Sequence, residues 1–229
     1  MKGVIIAAGK GTRLLPLTEK TPKVMIDVGG KPILEHIIEL LKSHGIKDII
    51  ITTHHLASSI HEYFREGGDF GVNIVYTVEK ELVGTAGGIA QLGNFLDGTF
   101  VLVYGDNMTN ADITSMAKFH RQKKAAATIG VYREQDKPES KGIVETDSDG
   151  RIVSFEEKPE KPKSNLASGA VYMLEPSVFR YITEGFCDFG KDVFPAMLKA
   201  GERLYAFEIE KLIDIGTFET LEKARTMFR

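Results

Sequence analysis

The chain has 229 residues, with 29 Lys and Arg against 32 Asp and Glu, a net charge of −3, and 42% hydrophobic residues. That balance argues against a dedicated nucleic-acid-binding domain, which is usually basic, and no apolar run approaches the roughly 18 residues of a membrane-crossing helix. The lone cysteine, Cys187, excludes an internal disulfide and a cysteine-based zinc cluster. The length fits one large domain, 1–229, better than two complete ones. The apolar start runs straight into Gly9, Lys10 and Gly11 with no cleavage pattern, so a cytoplasmic protein is expected.

In chain order, runs at 3–8, 48–53, 73–78 and 100–104 are nearly continuous in Ile, Val and Leu. They read as strands buried on both faces of a parallel sheet. Between them, 32–43 places Ile33, Ile37, Leu40 and Leu41 on one helical face, with Pro32 suited to a first helical position. Weaker helical patterns cover 56–65, 85–92 and 112–124. Beyond about residue 125 the texture changes. Strands are predicted at 126–132, 142–146, 151–156 and 167–174, with a hairpin turn at Asp147-Ser148-Asp149-Gly150. A charged, Pro-rich loop spans 156–164, and helices are predicted at 176–183, 190–200 and 217–229. The chain therefore reads as α/β, a parallel half at 1–124 followed by a mixed half at 125–229 that completes the same sheet.

The first strand ends in Ala8-Gly9-Lys10-Gly11-Thr12-Arg13-Leu14, where α/β folds bind nucleotides. Two glycines allow close backbone approach to a phosphate. A dinucleotide fingerprint needs a third glycine where Leu14 stands, and Gly30-Lys31 is followed by Pro32 rather than by the Ser or Thr of a Walker loop. Between residues 10 and 31, Lys10, Arg13, Lys20, Lys23 and Lys31 oppose Glu19 and Asp27, a local charge of +3 in a chain of −3. Such a loop suits a polyphosphate. Arg13 can grip phosphate oxygens bidentately, and Lys23 can act as a point charge.

Gly9 through Thr18 with Pro22-Lys23, then Gly84-Thr85-Ala86-Gly87, Gly105-Asp106-Asn107, Glu156-Glu157-Lys158-Pro159 and Asp214-Ile215-Gly216-Thr217, occur in one order along nearly the whole chain. This ordered set resembles the sugar-1-phosphate nucleotidyltransferases. The resemblance implies a Rossmann-like three-layer mixed sheet, with the first half mainly nucleotide-binding and the second mainly sugar-phosphate-binding. It also implies transfer of a nucleotidyl group from an NTP to a sugar 1-phosphate, with release of pyrophosphate.

By the same resemblance, Arg13 holds the departing phosphates, Lys23 bridges the reacting ones, and Asp106 and Asp214 hold Mg²⁺. The nucleotide site comprises Ala7, Ala8, Gly9, Gly11, Thr12, Arg13, Glu79, Glu81, Gly84, Thr85 and Asp106. Glu79 and Glu81 as acceptors lean towards GTP, with a mannose- or heptose-type sugar phosphate. The sugar-phosphate site comprises Gly142, Glu157, Lys158, Asn165 and Ser168. Ser168 stands where many relatives carry Ala of Asn-Ala-Gly, which leaves the sugar open. Cytidylyl or uridylyl transfer to another sugar phosphate or to phosphocholine, and a non-catalytic nucleotide-sensing subunit, are the alternatives. Retention of Arg13, Lys23, Asp106 and Asp214 disfavours the last. The partners are the two substrates, without nucleic acid or membrane, and a homodimer is a family-level expectation.

No hexapeptide repeat follows residue 214, so a stand-alone transferase is expected. His54, His55 and His61 read as residues around a helix start rather than zinc ligands, and Cys187 reads as a packed small residue.

Overall fold

A computed structural model describes residues 1–210 and 212–227. In chain order the strands and α-helices are β1 (Lys2–Ile6), β2 (Asp27–Val28), β3 (Lys31–Pro32), α1 (Ile33–Ser43), β4 (Asp48–Thr53), α2 (Ala57–Phe64) and β5 (Asn73–Val78). Then come α3 (Gly84–Gly87), β6 (Phe100–Tyr104), β7 (Asn107–Thr109), α4 (Ile113–Lys123), β8 (Ala127–Arg133), β9 (Gly142–Thr146) and β10 (Ile152–Glu157). The chain continues through β11 (Leu166–Leu174), α5 (Phe194–Lys199), β12 (Leu204–Glu208), β13 (Leu212–Asp214) and α6 (Phe218–Met227). The end of the predicted helix 217–229 lies outside the described residues.

Two compact units divide this chain. The first is Met1–Leu82, Val103–Asn110 and the described part of Lys211–Arg229. Within it β1 pairs in parallel with β4, from Gly3↔Ile49 to Ile6↔Thr52, and β4 with β5, from Asp48↔Asn73 to Thr53↔Val78. Buried Ile33, Leu34, Ile37, Ile38 and Leu41 of α1 and Val4, Ile5 and Ile51 of the strands supply much of its core. At about 1.5–3 kcal/mol for each large aliphatic side chain, this burial outweighs the individual surface ion pairs, worth about 0–1 kcal/mol each.

β5 departs from the expected double-faced burial: Val75 and Val78 are 61% and 55% exposed. It is the edge strand, with β4 as its neighbour, and an edge strand needs no apolar cover on both faces. Ala7 and Ala8 have already left β1, and Pro32 precedes α1 rather than opening it, because Lys31–Pro32 pairs with Asp27–Val28.

The second unit is Val83–Leu102 and Ala111–Glu210. Here β8 pairs antiparallel with β11 and parallel with β12, and β9 pairs antiparallel with β10. The chain is thus α/β, parallel early and mixed late. The Asp147 side chain closes the β9–β10 turn by accepting from the amides of Asp149 and Arg151, each at 2.9 Å.

Several expected helices break up. Gly84, Gly87 and Gly88 each weaken a helix by about 1 kcal/mol, and the 85–92 pattern becomes the single turn α3 and a 3₁₀ turn at Ala90–Leu92. Residues 176–183 contain a 3₁₀ helix at Pro176–Tyr181, and the 190–200 helix begins as a π-turn, Phe189–Val193. Pro195 has no N–H to donate to the carbonyl four residues back, which favours the wider turn there.

A buried polar network crosses the second unit. His120, 1% exposed, contacts Thr128 Oγ1 through Nδ1 at 2.8 Å and Glu175 Oε1 through Nε2 at 3.1 Å. Thr99 Oγ1 also donates to Glu175 Oε1, at 2.5 Å. Burial lowers the His120 pKa below its ordinary value; Glu175 opposes this and Arg121 adds to it. The native imidazole therefore takes up a proton less readily than the unfolded one. Its contribution to stability is full above about pH 6.5 and is lost as pH falls through the lowered value. The melting temperature of the parent is expected to fall more steeply between pH 7 and pH 5 than that of His120→Gln. Equal slopes in a thermal melt series would refute this.

Candidate functional site

In the first unit, the loop that leaves β1 is built by Gly11. Its φ of +67° suits glycine, and a Cβ there would lie 2.9 Å from Thr18 Cγ2 and 3.0 Å from Lys23 Cβ. Thr18, 1% exposed, donates from Oγ1 to the Gly11 carbonyl at 2.9 Å. The glycine loop is thereby tied to the 3₁₀ turn Leu17–Glu19 and packs against Lys23, which opens the next turn. Ala7 and Ala8 are each 4% exposed, whereas Gly9 is exposed with open space around its Cα. Thr12 and Arg13 are exposed on the next turn, and the Arg13 guanidinium lies over Gly216, where a Cβ would come within 2.9 Å of Nη2.

Lys23 is 7% exposed and forms an ion pair with Asp106, 83 positions away. Asp106 follows Gly105, whose amide donates to the Ile6 carbonyl at 2.8 Å and ties the end of β6 to the end of β1. β7 and β13 then pair antiparallel with Asp214 opposite Asn107, and Ile215 N donates to the Asp106 carbonyl at 3.0 Å. Two aspartates 108 positions apart in sequence are thus on neighbouring backbone segments. Asn107 is 5% exposed, and its Oδ1 is buried without a hydrogen-bond partner.

Glu79 is 8% exposed at the end of β5, its carbonyl contacted by His54 Nδ1 at 2.8 Å; Glu81 is exposed. His55 Nε2 contacts the Thr18 carbonyl at 3.3 Å, and His61 contacts Thr53 Oγ1 and the Tyr76 ring. These half-buried histidines brace the unit, and no cluster of three or more His, Cys, Asp or Glu suited to a metal occurs among the described residues.

The second unit carries the remaining predicted residues. Gly84 has φ +82°, and a Cβ there would strike the Cys187 carbonyl oxygen at 2.5 Å. That carbonyl accepts from Ala86 N at 2.9 Å and Gly87 N at 3.0 Å, while Cys187 itself is buried. Thr85 donates through N and Oγ1 to Asp188 Oδ1 at 2.9 and 3.0 Å, and its Oγ1 accepts from Phe189 N at 3.0 Å. The Thr85 hydroxyl is therefore engaged within the protein.

Glu157 pairs in register with Gly142. Its Oε2 would lie 2.7 Å from a Cβ on Gly142 and 2.6 Å from one on Gly190, so two glycines make room for this carboxylate. Burial raises its pKa above the usual carboxylate value; Lys158, Lys191 and Lys141 oppose the rise and Asp188 adds to it. Lys158 has φ +53°, a conformation that costs a non-glycine residue about 1–3 kcal/mol, and its amide donates to the Lys141 carbonyl at 2.9 Å. Ser168 stands at the start of an irregularity in the β8–β11 register, its Oγ 3.1 Å from the Tyr172 hydroxyl. The Asn165 carbonyl accepts from Glu134 N at 2.9 Å. Sequence reasoning missed Asp188 and Gly190, which act only through residues distant in the chain.

The family described as Nucleotidyl transferase matches residues 2–228. A UTP–glucose-1-phosphate uridylyltransferase of Synechocystis sp. is 40% identical over 233 residues, covering 94% of this chain and 60% of the relative. A mannose-1-phosphate guanylyltransferase of Mycobacterium tuberculosis is 34% identical over 220 residues, covering 94% of this chain and 61% of the relative. The chain thus spans about three fifths of the length of these relatives. A Bacillus anthracis structure assigned as a glucose-1-phosphate thymidylyltransferase, in complex with a sucrose, superposes with a TM-score of 0.92 at 30% identity. That match covers all of this chain and 95% of the other. Among the described residues no helix is long and apolar enough to cross a membrane.

Proposed function

The chain belongs to the nucleotidyl transferase family, and on that premise we propose that it joins an NTP to a sugar 1-phosphate, releasing pyrophosphate. The observation that carries this reading is the grouping of buried Lys23 with Asp106, beside the backbone of Asp214, in the unit that also holds Arg13 and the glycine loop. The attacking group is an anion already, because a phosphate monoester loses its second proton near pH 6. The enzyme therefore needs no general base. Its task is to align two anions and to stabilise charge on the leaving pyrophosphate.

Lys23 brings a fixed ammonium to the reacting phosphates, with little reorganisation because the fold already buries it. Arg13, exposed and backed by Gly216, offers a planar fork to the departing phosphates. Gly9 leaves the backbone open for the nucleotide, and Gly11 lets the loop pack against Thr18 and Lys23. Asp106 and Asp214 present the hard carboxylate oxygens that magnesium prefers. The buried, unpartnered Oδ1 of Asn107, adjacent to Asp106 in sequence, fits a neighbourhood that takes a cation or its water. Magnesium bound there would neutralise phosphate charge. Glu79 and Glu81 suit the N–H edge of guanine, while Glu157 in its two-glycine slot suits sugar hydroxyls and Lys158 the sugar phosphate.

The test is a matrix of five NTPs against a panel of sugar 1-phosphates, scored by pyrophosphate release. Release is expected only with both substrates and Mg²⁺, and most strongly for GTP with a mannose- or heptose-type phosphate. No release from any pair would overturn the proposal. A strong preference for UTP or TTP would overturn only the assignment of the base.

A further inference from the structure

One four-residue segment of the second unit, Cys187–Gly190, braces two loops at once. On one side, the Cys187 amide donates to the Val83 carbonyl at 2.9 Å, and the Cys187 carbonyl receives the amides of Ala86 and Gly87. Asp188 Oδ1 takes both the amide and the hydroxyl of Thr85. On the other side, Gly190 makes room for Glu157 Oε2. Asp188 precedes the π-turn Phe189–Val193 and makes no side-chain cap to it. Its side chain is instead committed to Thr85, 103 positions away.

We propose that Asp188 is a positioning residue that holds the Gly84–Gly87 turn for the nucleotide, while its charge acts on Glu157, the carboxylate assigned to the sugar. This rests on the transferase reading above. Asp188 touches neither substrate; it acts through Thr85 by hydrogen bonds and on Glu157 through space. Two separable consequences follow, because an asparagine keeps an acceptor oxygen for Thr85 and loses the charge. Lys158, Lys191 and Lys141 are the other charged groups acting on Glu157, and they pull its pKa down. With Asp188 neutralised, burial still raises the Glu157 pKa but one of the two influences that raise it is gone, so Glu157 ionises at lower pH.

The experiment compares parent, Asp188→Ala, Asp188→Asn, Thr85→Ala and the double alanine variant by steady-state kinetics with each substrate varied. Asp188→Ala is expected to raise KM for the NTP about tenfold or more, with kcat changed less. Asp188→Asn should keep that KM within about threefold of the parent and, once the substrate's own ionisation near pH 6 is divided out, move the acid limb of kcat/KM for the sugar phosphate to lower pH. The double alanine variant should lose less than the sum of the two single losses, since both singles remove the Thr85 hydroxyl–Asp188 bond. If Asp188→Ala does not fold, Thr85→Ala and Asp188→Asn still carry both arms. An active parent with NTP KM unchanged in the alanine variants, or an unmoved acid limb in Asp188→Asn, overturns this role alone. A parent that releases no pyrophosphate overturns the transferase reading and this role with it.

Discussion

Lys23→Ala is expected to lower kcat/KM for pyrophosphate release by about a thousandfold, the scale of removing one preorganised electrostatic stabiliser, while the protein remains folded. The two effects separate because Lys23 is costly to bury and, on the function proposed above, serves the phosphates rather than the fold. Its side chain is 8% exposed, and its partner Asp106 is 29% exposed. Truncating the lysine removes the more deeply desolvated of the two charges and leaves Asp106 with access to water. Stability should therefore change far less than the 3–5 kcal/mol lost when a fully buried charge is orphaned. The thousandfold loss corresponds to about 4 kcal/mol of transition-state stabilisation. Lys23→Arg keeps the charge but replaces a compact ammonium with a planar fork, so it should recover activity only in part. A thermal melt beside a pyrophosphate assay checks both halves. Turnover of Lys23→Ala within a few-fold of the parent would remove Lys23 from the chemistry.

The local part of this arrangement was legible in the sequence. The apolar runs located β1, β4, β5 and β6, each within about two residues, because a buried strand needs consecutive apolar side chains. The glycines and cations of residues 9–23 stand together in one short segment, so the fold of that loop around Gly11, Thr18 and Lys23 was local enough to be approached from the sequence. What escaped was set by distant partners. β7 and β13 are three residues each, too short for any period to show, yet their register is what brings Asp214 alongside Asn107. β12 was missed although it pairs with β8 over five residues. Gly201, with φ +79°, ends the preceding helix, but the five residues Leu-Tyr-Ala-Phe-Glu owe their strand to β8, more than 70 positions away. Asp188, unlike Asp214, stood in no motif. Its partner Thr85 is 103 positions away, and only the folded backbone joins them. The exposure of Val75 and Val78 likewise depends on the place of β5 at the sheet edge, which an apolar run does not reveal.

Asp106→Asn and Asp214→Asn should each depress activity by about a hundred- to ten-thousandfold, and the double variant should be little worse than the poorer single one. The argument turns on how the two carboxylates are held. β7–β13 pairing and the bond from Ile215 N to the Asp106 carbonyl fix both by backbone contacts that an amide side chain does not disturb. Asparagine is isosteric with aspartate and keeps one carbonyl oxygen, so the loss falls on charge rather than on shape. Groups that serve one ion act as a unit, and losses from residues that act as a unit do not add. Asp106→Asn also leaves the Lys23 ammonium with a neutral acceptor. It should therefore melt at a lower temperature than the parent. Each should also need more Mg²⁺ for half-maximal rate than the parent, and removal of divalent metal should abolish the differences among all four proteins. Strictly additive losses, or an unchanged Mg²⁺ requirement in both single variants, would show that the two aspartates do not share an ion.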